Sequence, residues 1–496
     1  MVASVINDTT VTLTEEQLVA AYRNIYLSRR LDDKEIALKR QNRIYFQISG
    51  AGHEAILTAA GMALKPSHDY VISYYRDRAL MLQLGMTAEE NLLAAVGAKT
   101  DVTSKGRQMP CHWGHKKLNV ISKSSCTGTQ FLQGVGAAEA SWYRERVADV
   151  QESVSGHGDE VVLITTGEGT TSQGEFFEAL NTASNKKLPT IFLVEDNGYA
   201  ISTPVEVQTA GGSISELVKN YPDLLIIEVD GCDVVASYRA MAQAVAYCRA
   251  RRGPALVHAK VIRPYSHSMS DDEKMYRPAA ERDAESERDP IAVHGQMLIE
   301  SGLCDERQLE KIRSDVDAEI EIATDRALKA PMPLAEEVYD YIYSGTVDPT
   351  SSSFDTESTV EDPSGQKTMV DLLNACLIDE MHRDPRIMVF GEDVADASRE
   401  HVLDECKGKG GVFKVTAGLQ RAHGADRVFN SPLAEANIVG RAVGLAERGL
   451  KPVVEIQFLD YIWPAFQQIR NELATARWRS GNDWPAPVVI RVPSGG

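Results

Sequence analysis

Apolar residues recur at helical spacing from Thr12 to about Arg43, and Thr14 with Gln17 offers a capping box, so the pattern predicts an opening helix. Beyond Val161 the rhythm changes. Short apolar runs, VVLITT (161–166), TIFLV (190–194), LLIIEV (224–229) and ALVHAKVI (255–262), alternate with amphipathic stretches through 176–184 and 234–251. Continuous apolar runs separated by helices predict a parallel sheet buried on both faces. Residues 306–329 predict an exposed, charge-laced helix. The stretch SGTVDPTSSSFDTESTVEDPSGQK (344–367) carries few apolar residues and many turn formers, which predicts a flexible linker. Fully extended, it would reach roughly 80 Å.

A second alternating unit follows: helix 368–382, strand RIMVFG (386–391), helix 433–448, strand PVVEIQ (452–457), a long helix 460–480 and strand PVVIRV (487–492). The expected fold class is therefore α/β, with two domains that are each a mostly parallel sheet flanked by helices. The first covers 1–343 and includes the N-terminal helical segment, 344–367 links, and 368–496 forms the second. The sequence stops at Gly496 just after a strand, where such a sheet normally places a functional loop, so a C-terminally truncated second domain is expected.

Composition narrows the classes. A chain of 496 residues, 43% hydrophobic and 25% charged, has ample material for buried cores. A formal charge of -19 repels polyanions, and no long basic patch offsets it, so nucleic acid is not expected as a partner. The N-terminus lacks a basic start and an apolar segment, and no run is long enough to span a membrane, so a cytoplasmic protein is expected. The seven cysteines are scattered and never spaced as C-x-x-C, which fits a reducing compartment.

Chemistry concentrates at strand ends. VVLITT runs into Gly167, Glu168 and Gly169, and TIFLV runs into Glu195, Asp196, Asn197, Gly198 and Tyr199. Ligands of open α/β sheets bind at carboxyl ends of strands. A carboxylate from Glu168, an amide oxygen from Asn197 and the backbone carbonyl of Tyr199 form an oxygen donor set that suits Mg2+, and glycines permit close approach of a diphosphate. A lone G-x-G reads equally as a tight turn; the paired segments favour a ligand.

These segments resemble thiamine-diphosphate enzymes, and GEGTTSQGEFFEALN with LPTIFLVEDNGYAISTP is similar to the alpha subunit of 2-oxo acid dehydrogenases, particularly the branched-chain (2-oxoisovalerate) type. The likeness covers most of 12–343 and implies thiamine diphosphate with Mg2+ held by Glu168, Asn197 and Tyr199. Two departures stand out. Asp196 replaces an asparagine, and Glu195 stands where some relatives place an arginine that meets the diphosphate, so one phosphate contact is expected to be lost or supplied differently. The element Tyr74, Tyr75, Arg76, Asp77 looks like the family's diphosphate-gripping motif, with Arg76 as the clamp. Ser124 to Gln130 is similar to the segment that holds the aminopyrimidine, through Ser125 and Thr127, and that binds a monovalent cation such as K+ in some relatives. The loop Tyr265 to Asp272 matches the family's H-S-x-S-D phrase, which implies that His267 reaches the diphosphate and the substrate. Its serines correspond to phosphorylation sites in mitochondrial relatives, and a phosphate on Ser268 would repel an anionic substrate. Cys111 to His115 lacks a usual zinc spacing, and the family carries a related loop without metal.

The second half looks like the beta subunit of the same enzymes, through FGEDV, GGVFKVTAGL, RVFNSPLAEANIVG and EIQFLDYIWPAFQQI. The resemblance implies two thiamine-diphosphate-binding-type domains in one fused chain. It makes Glu435 a buried acid that protonates the cofactor's aminopyrimidine, Glu392 its support, and Gln457 and Tyr461 pocket residues. The family's next element, a loop with a catalytic histidine and then a C-terminal transketolase-like domain, is absent from this sequence. The implied activity is decarboxylation of a 2-oxo acid and transfer of the acyl group to the lipoyl arm of a partner acyltransferase, by a homodimer or higher oligomer whose two domain types face each other. The alternatives are a pyruvate or acetoin dehydrogenase component, or a non-catalytic cofactor-binding assembly subunit.

Overall fold

A computed structural model describes residues 12–352 and 365–494. The chain divides into two units, Met1–Ala138 with Asp159–Ala335, and Glu139–Gly158 with Glu336–Gly496. The second unit thus takes a stretch from the first half of the sequence. Of the expected linker, 344–352 forms mostly exposed turns and 353–364 lies outside the described residues.

In the first unit, the helix Glu15–Arg40 opens as expected, with Thr14 Oγ1 accepting from Gln17 N at 3.2 Å and Gln17 Oε1 accepting from Thr14 N at 2.9 Å. Among the described residues eight strands follow: β1 (Tyr70–Ile72), β2 (Val120–Ile121), β3 (Val162–Gly167), β4 (Thr190–Asp196), β5 (Tyr199–Ala200), β6 (Thr203–Pro204), β7 (Leu225–Asp230) and β8 (Ala255–Lys260). Six of them form one sheet in the order β2-β1-β3-β4-β8-β7, with every pair parallel. β5 and β6 make a small antiparallel hairpin. Every residue of β3 and β4 is buried, which is why these strands read as unbroken apolar runs. Leu163, Ile191, Leu193 and Val257 on one face pack with Ile56, Leu57, Leu80, Met241 and Val245 from the helices Glu54–Ala63, Arg78–Leu84 and Val234–Arg249. Each such side chain contributes about 1.5–3 kcal/mol on burial.

The helix Glu306–Lys329 corrects an expectation. It is charged on one side, but Val316, Ile320, Ala323 and Ala327 pack against Leu27, Leu31 and Leu92. The apolar stripe at i, i+4, i+7 and i+11 was hidden among charged neighbours.

The second unit carries β9 (Ile387–Gly391), β10 (Val428–Asn430), β11 (Lys451–Glu455) and β12 (Val489–Arg491), in the parallel order β10-β9-β11-β12. Met388, Phe390, Ile438, Leu445 and Val454 share a core with Ala140, Tyr143, Val150 and Val154. Tyr143 Oη donates to the Pro385 carbonyl at 2.7 Å, and Arg448 Nε donates to the Ser155 carbonyl at 2.8 Å. Arg441 lies 3.0 Å from Glu139, both fully buried, with its guanidinium 4.5 Å from the Phe390 ring centre.

The expected long helix over 460–480 is not one helix. It breaks into 3-10 turns Leu459–Tyr461 and Trp463–Ala465, a π segment Gln468–Leu473 and a short α-helix Ala476–Arg479. Pro464 has no amide hydrogen to continue an α ladder. Further on, Ala474 N donates five residues back to Ile469 O at 2.9 Å, and Arg479 Nη1 donates to the carbonyls of Asn471 and Glu472 at 3.1 and 3.0 Å. Among the described residues no helix is long and apolar enough to cross a membrane.

Candidate functional site

The chain leaves β1 for β2 on one side and returns to β3 on the other, so the first sheet has a topological switch point between β1 and β3. A crevice opens there at the carboxyl ends. Tyr74, Tyr75 and Arg76 follow β1, Ser125 and Thr127 follow β2, Glu168 and Gly169 follow β3, Asn197 and Tyr199 follow β4, and His267 follows β8. Because the strands are parallel, all of these loops leave one edge of the sheet. A cavity of about 430 Å³ collects Tyr75, Arg76, Ser125, Thr127, Gly167, Glu168, Gly169, Tyr199 and His267 in its wall. Asn197 is buried and does not line it. The same wall contains Phe46, Ile48, Met109, Gln173 and Gln208, which the sequence does not single out, and His112, which it offers only within the Cys111–His115 segment.

Glu168 is 2% exposed, and its Oε1 has no hydrogen-bond partner among the described residues. Burial, and then the charge of Asp196, push its pKa up to about 8. A buried carboxyl in this state is stabilised by an added cation. Asn197 Oδ1 accepts from Tyr199 N at 3.2 Å, which bends the chain through Gly198, at φ +81°, into the β5–β6 hairpin. Its Nδ2 contacts His53 Nε2 at 3.4 Å, and His53 Nδ1 lies 2.6 Å from Glu195 Oε2. An amide nitrogen only donates, so Nε2 of His53 accepts and Nδ1 carries the proton. His53 is fully buried, and burial, with Arg76 and Arg263 nearby, pushes its pKa well down, so the ring is neutral. Gly169 permits a close approach: a Cβ there would stand 2.5 Å from Ala200 Cβ.

The two departures from the family pattern now have places. Glu195 turns into the protein, toward His53 and Asp77, and its carboxyl pKa is raised by burial and then by Asp77. Asp196 accepts from His258 Nε2 at 2.8 Å and from Lys260; burial pushes its pKa up, but those bonds hold it at about 2. Neither side chain lines the cavity.

Arg76 is 2% exposed. It donates through Nη1 to the Ser49 carbonyl and through Nη2 to His267 Nδ1 at 3.1 Å, while Nε has no partner among the described residues. A guanidinium only donates, so Nδ1 of His267 is unprotonated. Burial, followed by the charges of Arg76 and Arg263, pushes the His267 pKa down to about 4. The Asp271 carboxylate accepts from His267 N at 2.9 Å and fixes the loop. A buried cation and a neutral ring donor facing one cavity form a receptor for a compact anion.

The segment after Met109 holds no metal cluster: among the described residues no group of three or more His, Cys, Asp or Glu is arranged for one. Cys111 is buried, and burial raises its thiol pKa to about 12. His112 Nδ1 faces the carbonyls of Met109 and Pro110 at 3.2 and 3.1 Å, so Nε2 accepts from Ser125 Oγ at 2.9 Å. The Ser125 hydrogen is thereby committed to His112.

The loop 124–130 is tied to itself. Cys126 N donates to Ser124 Oγ at 3.2 Å, Gly128 N to Gln130 Oε1 at 2.9 Å, and Thr129 Oγ1 to the Cys126 carbonyl at 3.0 Å. Lys123, 3% exposed, donates from Nζ to the Ser124 carbonyl at 3.0 Å.

In the second unit, Glu392 follows β9, Glu435 opens the helix Glu435–Glu447 after β10, and Gln457 and Tyr461 follow β11. These again are carboxyl ends of parallel strands. Burial and the facing Glu435 carboxylate raise the Glu392 pKa, and Glu392 Oε1 has no hydrogen-bond partner among the described residues. In the single chain Glu435 is partly buried, in the first turn of its helix. Tyr461 is 48% exposed and packs edge-on against Phe458, with ring centres 5.5 Å apart.

Comparison with known proteins divides the chain between residues 336 and 365. Residues 22–336 match the family model described as "Dehydrogenase E1 component", and residues 365–496 match "Transketolase, pyrimidine binding domain". The 2-oxoisovalerate dehydrogenase subunit alpha of Bacillus subtilis is 34% identical over 332 residues, 67% of this chain and 97% of the relative. Pyruvate dehydrogenase E1 component subunits alpha from Mycoplasma genitalium and Staphylococcus aureus are 30% and 32% identical, covering 86% and 84% of those relatives. With the cavity at the switch point of one unit and the paired carboxyls at the strand ends of the other, these matches place the chain in the thiamine-diphosphate-dependent dehydrogenase E1 component family of 2-oxo acid dehydrogenases, which are oxidoreductases.

Proposed function

We propose that this chain is a fused alpha- and beta-type E1 component that oxidatively decarboxylates a branched-chain 2-oxo acid and passes the acyl group to the lipoyl arm of a partner acyltransferase. The observation that carries the reading is the convergence of five strand ends on one cavity that offers a cation, a neutral histidine donor and an orphaned carboxyl oxygen. Thiamine diphosphate, when bound, supplies a nucleophilic carbon and an electron sink that amino acids lack.

The residues present fit that group and its metal. Glu168, Asn197 and the Tyr199 carbonyl supply oxygens for Mg2+, with Asn197 held in orientation by neutral His53. Arg76 and His267 meet the diphosphate, and Gly167 and Gly169 leave room for it. Tyr75, whose ring lies 5.1 Å from the Arg76 guanidinium, keeps that cation in place. Ser125 and Thr127 face the aminopyrimidine. In the second unit, Glu435 would exchange a proton with the ring nitrogen of the bound cofactor, and Glu392, whose carboxyl is pushed up by burial and by Glu435, would support it. Gln457 and Tyr461, which follow β11 in that unit, would be its further contacts with the ring. Phe46, Ile48, Met109 and Ile201 give the cavity an apolar wall, which suits an aliphatic branched side chain better than a methyl group.

The pyruvate dehydrogenase relatives favour a second reading with pyruvate as substrate. Calorimetry with thiamine diphosphate and Mg2+, then carbon dioxide release from 2-oxoisovalerate, 2-oxo-4-methylpentanoate and pyruvate with a dye acceptor, tests both. Binding with faster turnover of the branched acids is expected. Faster turnover of pyruvate overturns the substrate assignment, and absence of cofactor binding overturns the function.

A further inference from the structure

A charged amine does not bury without compensation, because it surrenders its hydration. Lys123 is 3% exposed, two residues after β2 and directly before the loop that presents Ser125 and Thr127 to the cavity. Its Nζ donates to the Ser124 carbonyl at 3.0 Å. Its charge is felt by two groups that face it from other segments: it opposes protonation of His112 and it stabilises the carboxylate of Asp77. Asp77 is itself fully buried and accepts from Tyr74 N at 2.9 Å and from Thr165 Oγ1, at the ends of β1 and β3. The ammonium therefore sits among the ends of β1, β2 and β3, under the turn that shapes one wall of the cavity.

An ammonium and a potassium ion are similar in size and both favour carbonyl and carboxylate oxygens. Ser124 to Gln130 resembles a loop that binds an alkali ion in some relatives. Three of the loop's oxygens already take donors: Ser124 O takes Lys123 Nζ, Gln130 Oε1 takes Gly128 N, and Cys126 O takes Thr129 Oγ1. A second unit charge would stand within one carbonyl's reach of the first and be repelled. The residues present do not fit a monovalent ion.

We propose that Lys123 is a built-in cation: its ammonium does in this chain what a bound alkali ion would do, fixing the 124–130 loop so that Ser125 and Thr127 face the cofactor, and making the protein indifferent to potassium. Lys123 is a positioning residue and touches no substrate. The link to cofactor binding rests on the function proposed above; the structural role of the ammonium does not.

The test compares wild type and Lys123→Met in potassium chloride, ammonium chloride and choline chloride at equal ionic strength, by thermal melting and by calorimetric titration with thiamine diphosphate and Mg2+. Wild type should melt at one temperature in all three salts and bind the cofactor with affinities within about twofold. Lys123→Met should melt lower and bind about tenfold more weakly in choline, and recover most of both losses in potassium or ammonium. A potassium-dependent rise in wild-type melting or affinity overturns the inference, and so does a Lys123→Met loss that no monovalent cation repairs. If Lys123→Met does not fold, the wild-type salt series decides alone. Wild-type protein that melts independently of potassium yet binds no thiamine diphosphate refutes the proposed function and leaves the ammonium's structural role standing.

Discussion

Replacing Arg76 by lysine separates charge from shape at the proposed diphosphate site. Arg76 reaches the Ser49 carbonyl with one nitrogen and His267 with another, and keeps Nε free of partners among the described residues. Arg76→Lys retains a positive charge and can still donate to one carbonyl, but it cannot span Ser49, His267 and a phosphate oxygen together. The change removes one charge-assisted hydrogen bond to the diphosphate, a loss of about 1.5–3 kcal/mol. At about 1.4 kcal/mol per factor of ten, the dissociation constant for thiamine diphosphate should rise between about 10-fold and 100-fold. Calorimetric titration at constant Mg2+ measures this, with thiamine, which lacks the diphosphate, as the control ligand. Thiamine should bind wild type and variant alike. An unchanged affinity for the diphosphate form, or an equal loss for both ligands, would refute the assignment and make Arg76 a structural residue.

Glu435→Gln should lower dye-linked decarboxylation by about 100-fold or more, as expected for loss of an acid–base group, while cofactor affinity stays within several fold; retention of full activity removes Glu435 from the mechanism. His112 titrates at about 4 in the folded chain, mainly because of burial, against about 6.5 unfolded. Its stabilising contribution is thus complete above pH 6.5 and is lost as the pH falls toward 4, a change of up to about 3 kcal/mol. Urea unfolding at pH 7.5, 6 and 5 should show a shallower acid decline for His112→Gln than for wild type, and parallel declines contradict it. Arg441→Met should destabilise by about 3–5 kcal/mol because it leaves buried Glu139 without its ion partner, and adding Glu139→Leu should restore most of that. Equal denaturant midpoints for the single and double variants would show that the pair is not coupled.

The long strands were legible because they are buried on both faces, so β3 and β4 announced both themselves and the loops that end them. β1 and β2 have three and two residues, too few for any periodicity, yet they form half of the switch point and supply Arg76, Ser125 and Thr127. Those site residues were found only through motif likeness. Phe46, Ile48 and His112 come from irregular segments whose place depends on the tertiary fold, and no local signal marks them. His112 stood in a segment weighed for metal; its pairing with Ser125, 13 positions on, is a tertiary fact. The break after Pro464 could have been read from the proline itself, and the apolar spacing beyond it concealed it.

The stretch 139–158 lends Ala140, Tyr143, Val150 and Val154 to a core otherwise made from residues beyond 385. Cutting the gene at the hydrophilic connector would consequently not yield two self-sufficient products. The downstream fragment, made alone, would leave part of Met388, Phe390 and Leu445 bare to water and invite aggregation. The upstream fragment would carry a sticky segment with nothing to cover it. For a two-gene arrangement, matched synthesis would be a requirement of solubility, and continuity of the backbone meets that requirement in every molecule made.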